Sequence, residues 1–155
     1  RRVADIAKAF GCHVIYYSTS GRNSQPGYER VSFDELLEQS DIVSIHAPLD
    51  ENTLGLMNKE AFAKMKKSAI LLNVGRGPII NEADLAEALN NKTIAAAGLD
   101  VLSVEPMQED NPLRGIKDSE RLLITPHIAW AGVEARNRLM GIILGQIKEF
   151  FKAHE

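Results

Sequence analysis

The fold class this sequence predicts is a doubly wound parallel α/β sheet with helices on both faces. Short apolar or β-branched runs that read as strands alternate with helix-like segments along nearly the whole chain. Such alternation implies parallel strands joined by right-handed crossovers. The residues able to do chemistry collect where the strand-like runs end, which is where open α/β sheets bind their ligands.

The elements follow in order. Arg1 to Phe10 places Val3, Ile6, Ala7 and Phe10 on one helix face, and Gly11 stands as its C′ residue. No N-cap precedes this helix, so the sheet is expected to be incomplete at its N-terminus. His13 to Tyr17 reads as a strand and Ser18 to Gly27 as a loop; Cys12 is expected to be a buried structural thiol. Ser32 and Glu35 form a capping box for a helix through Gln39. Asp41 to Ile45 is a strand that delivers His46-Ala47-Pro48-Leu49. Asn58 caps a short helix over Lys59 to Met65, with Ala61, Phe62 and Met65 turned inward.

Ala69-Ile70-Leu71-Leu72-Asn73 is apolar enough for a strand buried on both faces. It leads into Val74-Gly75-Arg76-Gly77, a single guanidinium held between two glycines. Asn81 caps a helix over Glu82 to Leu89, whose Glu82 and Asp84 suit the helix dipole. Ala95 to Leu99 is a small-residue strand ending at Asp100, and Leu122 to Ile124 is a last strand stopped by Thr125-Pro126. Val133 to Phe151 makes a long helix with an apolar stripe of Leu139, Ile142, Ile143, Ile147 and Phe150. That stripe is expected to pack on the sheet or to return towards another domain.

At 155 residues there is room for one domain with a sizeable core. Hydrophobic residues at 45%, charged residues at 25% and a net charge of −3 describe an ordinary globular chain. That balance gives no reason to expect nucleic acid or an anionic membrane as partner. No apolar run approaches the ~20 residues of a membrane span. The lone cysteine excludes an internal disulfide and suits a reducing, cytoplasmic setting.

The strand ends carry Ser18, His46, Arg76, Asp100 and Pro126-His127 in turn, with Glu105 one short loop after Asp100. Arg76 offers a planar fork of donors that matches a carboxylate. If Glu105 meets His127, the carboxylate stabilises the imidazolium and raises its pKa, so the His holds a proton near neutrality. Together these residues describe proton transfer on a small carboxylic acid. His46 is open to two readings, a cleft-lining residue or a satisfied structural one. Trp130, just beyond His127, belongs either to the core or to the substrate pocket. No cluster with metal-ligand spacing is present.

Asn73-Val74-Gly75-Arg76-Gly77, the run Gly98 to Pro106 and Thr125-Pro126-His127 resemble the signature of D-isomer-specific 2-hydroxyacid dehydrogenases. His46-Ala47-Pro48-Leu49, Thr53 and Asn58 are similar to the same family's segment between cofactor and hinge. The text from Pro126 to Arg136 looks most like its glycerate dehydrogenase and hydroxypyruvate reductase members. The resemblance implies a Rossmann-like NAD(P)-binding domain that transfers hydride between cofactor and a small 2-keto or D-2-hydroxy acid. It implies that Arg76 grips the substrate carboxylate, that His127 is the acid/base, and that Glu105 bonds to that His. It also implies that Asp100, Pro48, Thr53, Val74 and Gly75, with His46, Arg76 and His127, line the cofactor cleft, and that a homodimer is possible. A sensor or corepressor on the same scaffold is the rival reading, but it would have no need of Arg76, Glu105 and His127 together.

Two departures from the family pattern stand out. The Gly-x-Gly-x-x-Gly fingerprint is not among the 155 residues, nor is a substrate domain. The expectation is therefore a partial dinucleotide-binding domain over residues 1–155, part of a longer enzyme and inactive alone. Further, Ser18 stands where an acid would hold the adenosine ribose, followed by Thr19-Ser20-Gly21-Arg22. With no carboxylate to repel a 2′-phosphate, Ser18, Thr19 and Arg22 lean the cofactor towards NADP.

Overall fold

A computed structural model describes residues 1–154. Every strand pairing in it is parallel, in two sheets. Strands β1 (Ile15–Tyr16) and β2 (Glu29–Arg30) pair with each other. The larger sheet runs β3 (Ile42–Ile45), β4 (Ile70–Asn73), β5 (Ala96–Leu99) and β6 (Leu122–Ile124), in chain order. Register carries Ile45 to Asn73, Asn73 to Leu99 and Leu99 to Ile124. The carboxyl ends of all four strands therefore open on one edge. β2 has no apolar signal, being two exposed charged residues, and it lies between the loop expected over Ser18 to Gly27 and the helix capped by Ser32, where no element is expected.

Three helices close one face of the larger sheet: α2 (Phe33–Gln39), α3 (Lys59–Lys64) and α4 (Glu82–Asn90). Their starts form as local chemistry dictates. Ser32 and Glu35 satisfy each other's backbone amides, Asn58 accepts from Ala61 N, and Asn81 accepts from Ala83 and Asp84 N. Leu37, Phe62, Leu85 and Leu89 from these helices pack with Val43, Ile45, Leu71, Ala97 and Leu99, all buried.

Burial is one-sided. Val43, Leu71 and Ala97 align in register and are buried, while Ile42 and Ile70, pointing the other way, remain exposed. The apolar run at Ala69 to Leu72 thus overstates burial, since β4 is enclosed on one face and open on the other. The terminal helices show the same thing. α1 (Arg2–Ala9) ends in a Schellman motif, with Cys12 N donating to Ala7 O, Gly11 N donating to Lys8 O and Gly11 at φ +83°. Neither α1 nor α5 (Val133–Lys152) buries a single residue. The apolar faces of both helices are as expected, but within the described residues nothing covers them, so the stripe of α5 does not pack on the sheet. Cys12 is exposed, correcting the expected buried thiol. Among the described residues no helix is long and apolar enough to cross a membrane.

Candidate active site

At the end of β4, a buried polar side chain shapes the loop that carries Arg76. Asn73 has no exposure; its Oδ1 accepts from the Gly75 amide at 3.0 Å and its Nδ2 donates to Arg76 O at 3.0 Å. This clamp was not anticipated, although a polar residue ending an apolar run was the available signal. Gly75 lies so near β3 that a Cβ would sit 3.1 Å from Ala47 O. Gly77 leaves no space at all: its Cβ would fall 1.9 Å from the Leu102 carbonyl carbon. The Arg76 loop therefore rests on the backbone of the loop after β5. Arg76 is exposed, with one nitrogen donating to Gly75 O at 2.8 Å. Among the described residues its guanidinium makes no ion pair.

The loop after β5 carries Glu105 to His127. Glu105 Oε2 lies 2.8 Å from His127 Nδ1, and Glu105 Oε1 accepts from the Leu102 amide at 2.9 Å. The Leu102 amide first, and then the His127 contact, hold the Glu105 carboxyl below the usual carboxylate range, against partial desolvation. His127 has φ +54°, a left-handed backbone that few non-glycine residues adopt.

Asp100 fixes that backbone. Its Oδ1 accepts from Thr125 Oγ1 and from the Ile128 amide at 2.9 Å, and its Oδ2 accepts from the Ala129 amide at 2.8 Å. Burial pushes the Asp100 carboxyl up, but these bonds, with His127 beside them, outweigh it and hold its pKa below the ordinary value. Asp100 is only 6% exposed, so its two oxygens serve the His127 turn rather than an open cleft.

The remaining candidates fall in two groups. Around β3, Pro48 and Val74 are exposed and present surface to the sheet edge. His46 is exposed, with Nε2 3.0 Å from Ser44 Oγ, and partial desolvation pushes its pKa below the ordinary imidazole value. Thr53 differs from expectation. It has no exposure, and its hydroxyl donates to Pro48 O at 2.7 Å while accepting from the Asp50 amide at 2.8 Å. It shapes the turn that carries Pro48 instead of offering a surface of its own. Trp130 is 58% exposed beyond His127, outside the core.

At the end of β1, the Ser18 hydroxyl is buried with no partner. A buried hydroxyl without a partner is costly, and a ligand oxygen beside it removes that cost. Thr19 is half-buried and Arg22 exposed. Two side chains fix this loop, neither anticipated: Tyr16 Oη accepts from the Gln25 amide at 3.0 Å, and Arg30 donates to Gly21 O at 3.0 Å.

A parallel sheet with a guanidinium after β4, a carboxylate after β5 and the imidazole it holds after β6, all on one carboxyl edge, defines the doubly wound class that takes a ligand across that edge. Within that class, the chain belongs to the D-isomer specific 2-hydroxyacid dehydrogenase family, residues 1–129 matching its NAD binding domain. It is 48% identical over 152 residues to the hydroxypyruvate reductase of Blautia hydrogenotrophica, across 95% of this chain and 45% of that protein. The chain thus spans under half the length of that relative. Among solved structures, it is similar to an acyclic imino acid reductase in complex with NADPH and D-Arg. There the TM-score is 0.87 at 33% identity, covering 97% of this chain and 47% of the other. It is also similar to D-lactate dehydrogenase from Aquifex aeolicus, complexed with NAD and lactic acid. That match has a TM-score of 0.85 at 27% identity, over 98% of this chain and 50% of the other.

Proposed function

We propose that this chain forms the nicotinamide-side part of an enzyme that interconverts a small 2-keto acid and its D-2-hydroxy acid with NAD(P)H. Substrates of the hydroxypyruvate, glycerate or glyoxylate type fit the reading. The observation that carries it is the Glu105–His127 pair at 2.8 Å, whose Glu105 stands on a loop packed against the one that presents Arg76. Arg76 binds the substrate carboxylate through its planar fork. His127 turns Nδ1 to Glu105, which leaves Nε2 for the substrate oxygen. In reduction Nε2–H gives its proton to the carbonyl oxygen; in oxidation the neutral nitrogen takes it back. Glu105 stabilises the charged ring before the proton leaves. The nicotinamide, when bound, supplies or accepts the hydride.

Pro48, Val74 and Gly75 line the nicotinamide side, where Gly75 allows close backbone approach. Ser18, Thr19 and Arg22 hold the adenosine ribose. The unpartnered Ser18 hydroxyl supports a ligand oxygen there, and a loop over residues 18–27 with Arg22 and no carboxylate supports NADP over NAD. The same reading makes the enzyme cytoplasmic and able to pair as a homodimer, for which the uncovered apolar residues of α5 leave surface.

Steady-state kinetics on the full-length enzyme tests this. NADPH is expected to give the higher kcat/KM. Arg76→Lys is expected to raise KM for the keto acid, and His127→Gln to lower kcat about 100-fold or more. Full turnover in His127→Gln would overturn the mechanism, and a strong NADH preference would overturn the cofactor assignment.

A further inference from the structure

Glu82 opens α4, and both its carboxylate oxygens are used on the loop after β5. Oε1 accepts from the Ser103 amide at 2.7 Å, and Oε2 accepts from Asn111 Nδ2 at 2.8 Å. Ser103 and Asn111 stand on either side of Glu105 in the chain, so one half-buried carboxylate ties together both ends of the segment that bears it. The far end is fixed in turn, since Asn111 is buried and its Oδ1 accepts from the Leu113 amide at 2.9 Å. The near end is also confined by Gly77, which leaves no space against Leu102 and Ser103. Ser103 is one peptide from Leu102, whose amide donates to Glu105. A displacement of Ser103 therefore passes to the Leu102 amide, then to Glu105, then to His127.

An acid in the first turn of a helix is ordinarily explained by the dipole alone. That accounts for the charge of Glu82 but not for its two bonds to a remote loop.

We propose that Glu82 is a positioning residue, which holds the Ser103–Asn111 loop so that Glu105 is set against His127. This rests on the reading of that pair as the acid–base machinery, but it is testable without turnover. Carboxyl-carbon NMR follows the titration of Glu105 in the full-length enzyme and in two variants. The charged groups facing Glu105 are His127 and Asp100. Glu82→Asp keeps the charge and withdraws the reach. It is expected to move the Glu105 midpoint up towards the ordinary glutamate value and to speed exchange of the Leu102 amide roughly tenfold. Glu82→Gln keeps the length and an acceptor for Ser103, giving up only the bond from Asn111 Nδ2, which an amide nitrogen cannot accept. It is expected to leave the midpoint close to that of the parent. In the full-length enzyme, Glu82→Asp is expected to lower kcat with KM for the keto acid held, and Glu82→Gln, which keeps the Ser103 bond, to lower it less. A Glu82→Asp chain that titrates like the parent, or two variants that shift Glu105 the same way, would overturn the proposal. Inactivity of the parent enzyme would overturn the catalytic reading and leave the titration result standing.

Discussion

At Asp100, two carboxylate oxygens take three donors, and all three belong to the turn that carries His127. The left-handed backbone of His127 is strained for a non-glycine residue, and a turn of this kind persists only where its surroundings over-determine it. Removing the acceptor leaves two amides and a hydroxyl without partners. Asp100→Ala is therefore expected to destabilise the chain by about 2–3 kcal/mol in urea unfolding at neutral pH. The sign of the pH dependence follows from the lowered pKa. Asp100 is more acidic folded than unfolded, so its contribution is complete above the ordinary aspartate value, about 3.9. It is lost only as the pH falls below that value and through the folded pKa, and the difference between parent and variant should narrow there.

At the scale of elements, the site depends on how closely two loops approach. Gly77 sits where the loop after β4 crosses the loop after β5, and any Cβ there meets the Leu102 backbone. Gly77→Ala is expected to cost about 3 kcal/mol, read by thermal unfolding, because backbone rather than a flexible side chain would have to move. Helix starts were legible in the sequence because their signals are local: Ser32 with Glu35, Asn58 and Asn81 each cap a helix within three residues of themselves. β2 was not legible, because two charged residues pair as a strand only when β1 is already beside them. The positions of α1 and α5 were not legible either, since an apolar stripe states that something covers it without stating what. At the site, Glu105 and His127 were readable from type and order. The clamps at Asn73, Asp100 and Glu82 were not, because each acts through backbone groups that any sequence possesses.

For the whole molecule, the 155 residues supply a carboxylate-held imidazole and a guanidinium but no Gly-x-Gly-x-x-Gly loop, whose amides would hold a pyrophosphate at a helix N-terminus. Calorimetric titration of the chain by itself is expected to show dinucleotide binding weaker than micromolar, with no turnover of glyoxylate or hydroxypyruvate. Micromolar affinity with turnover would show that the chain alone suffices. The division of the strands into a pair and a set of four has a further consequence. Ser18 and Arg22 hang from the pair, whereas Arg76, Asp100, Glu105 and His127 hang from the four. On the proposed reading, choice of electron carrier and chemistry of the acid are written on separate pieces of scaffold. Exchange of the single loop after β1 is then expected to change the first while leaving the second intact.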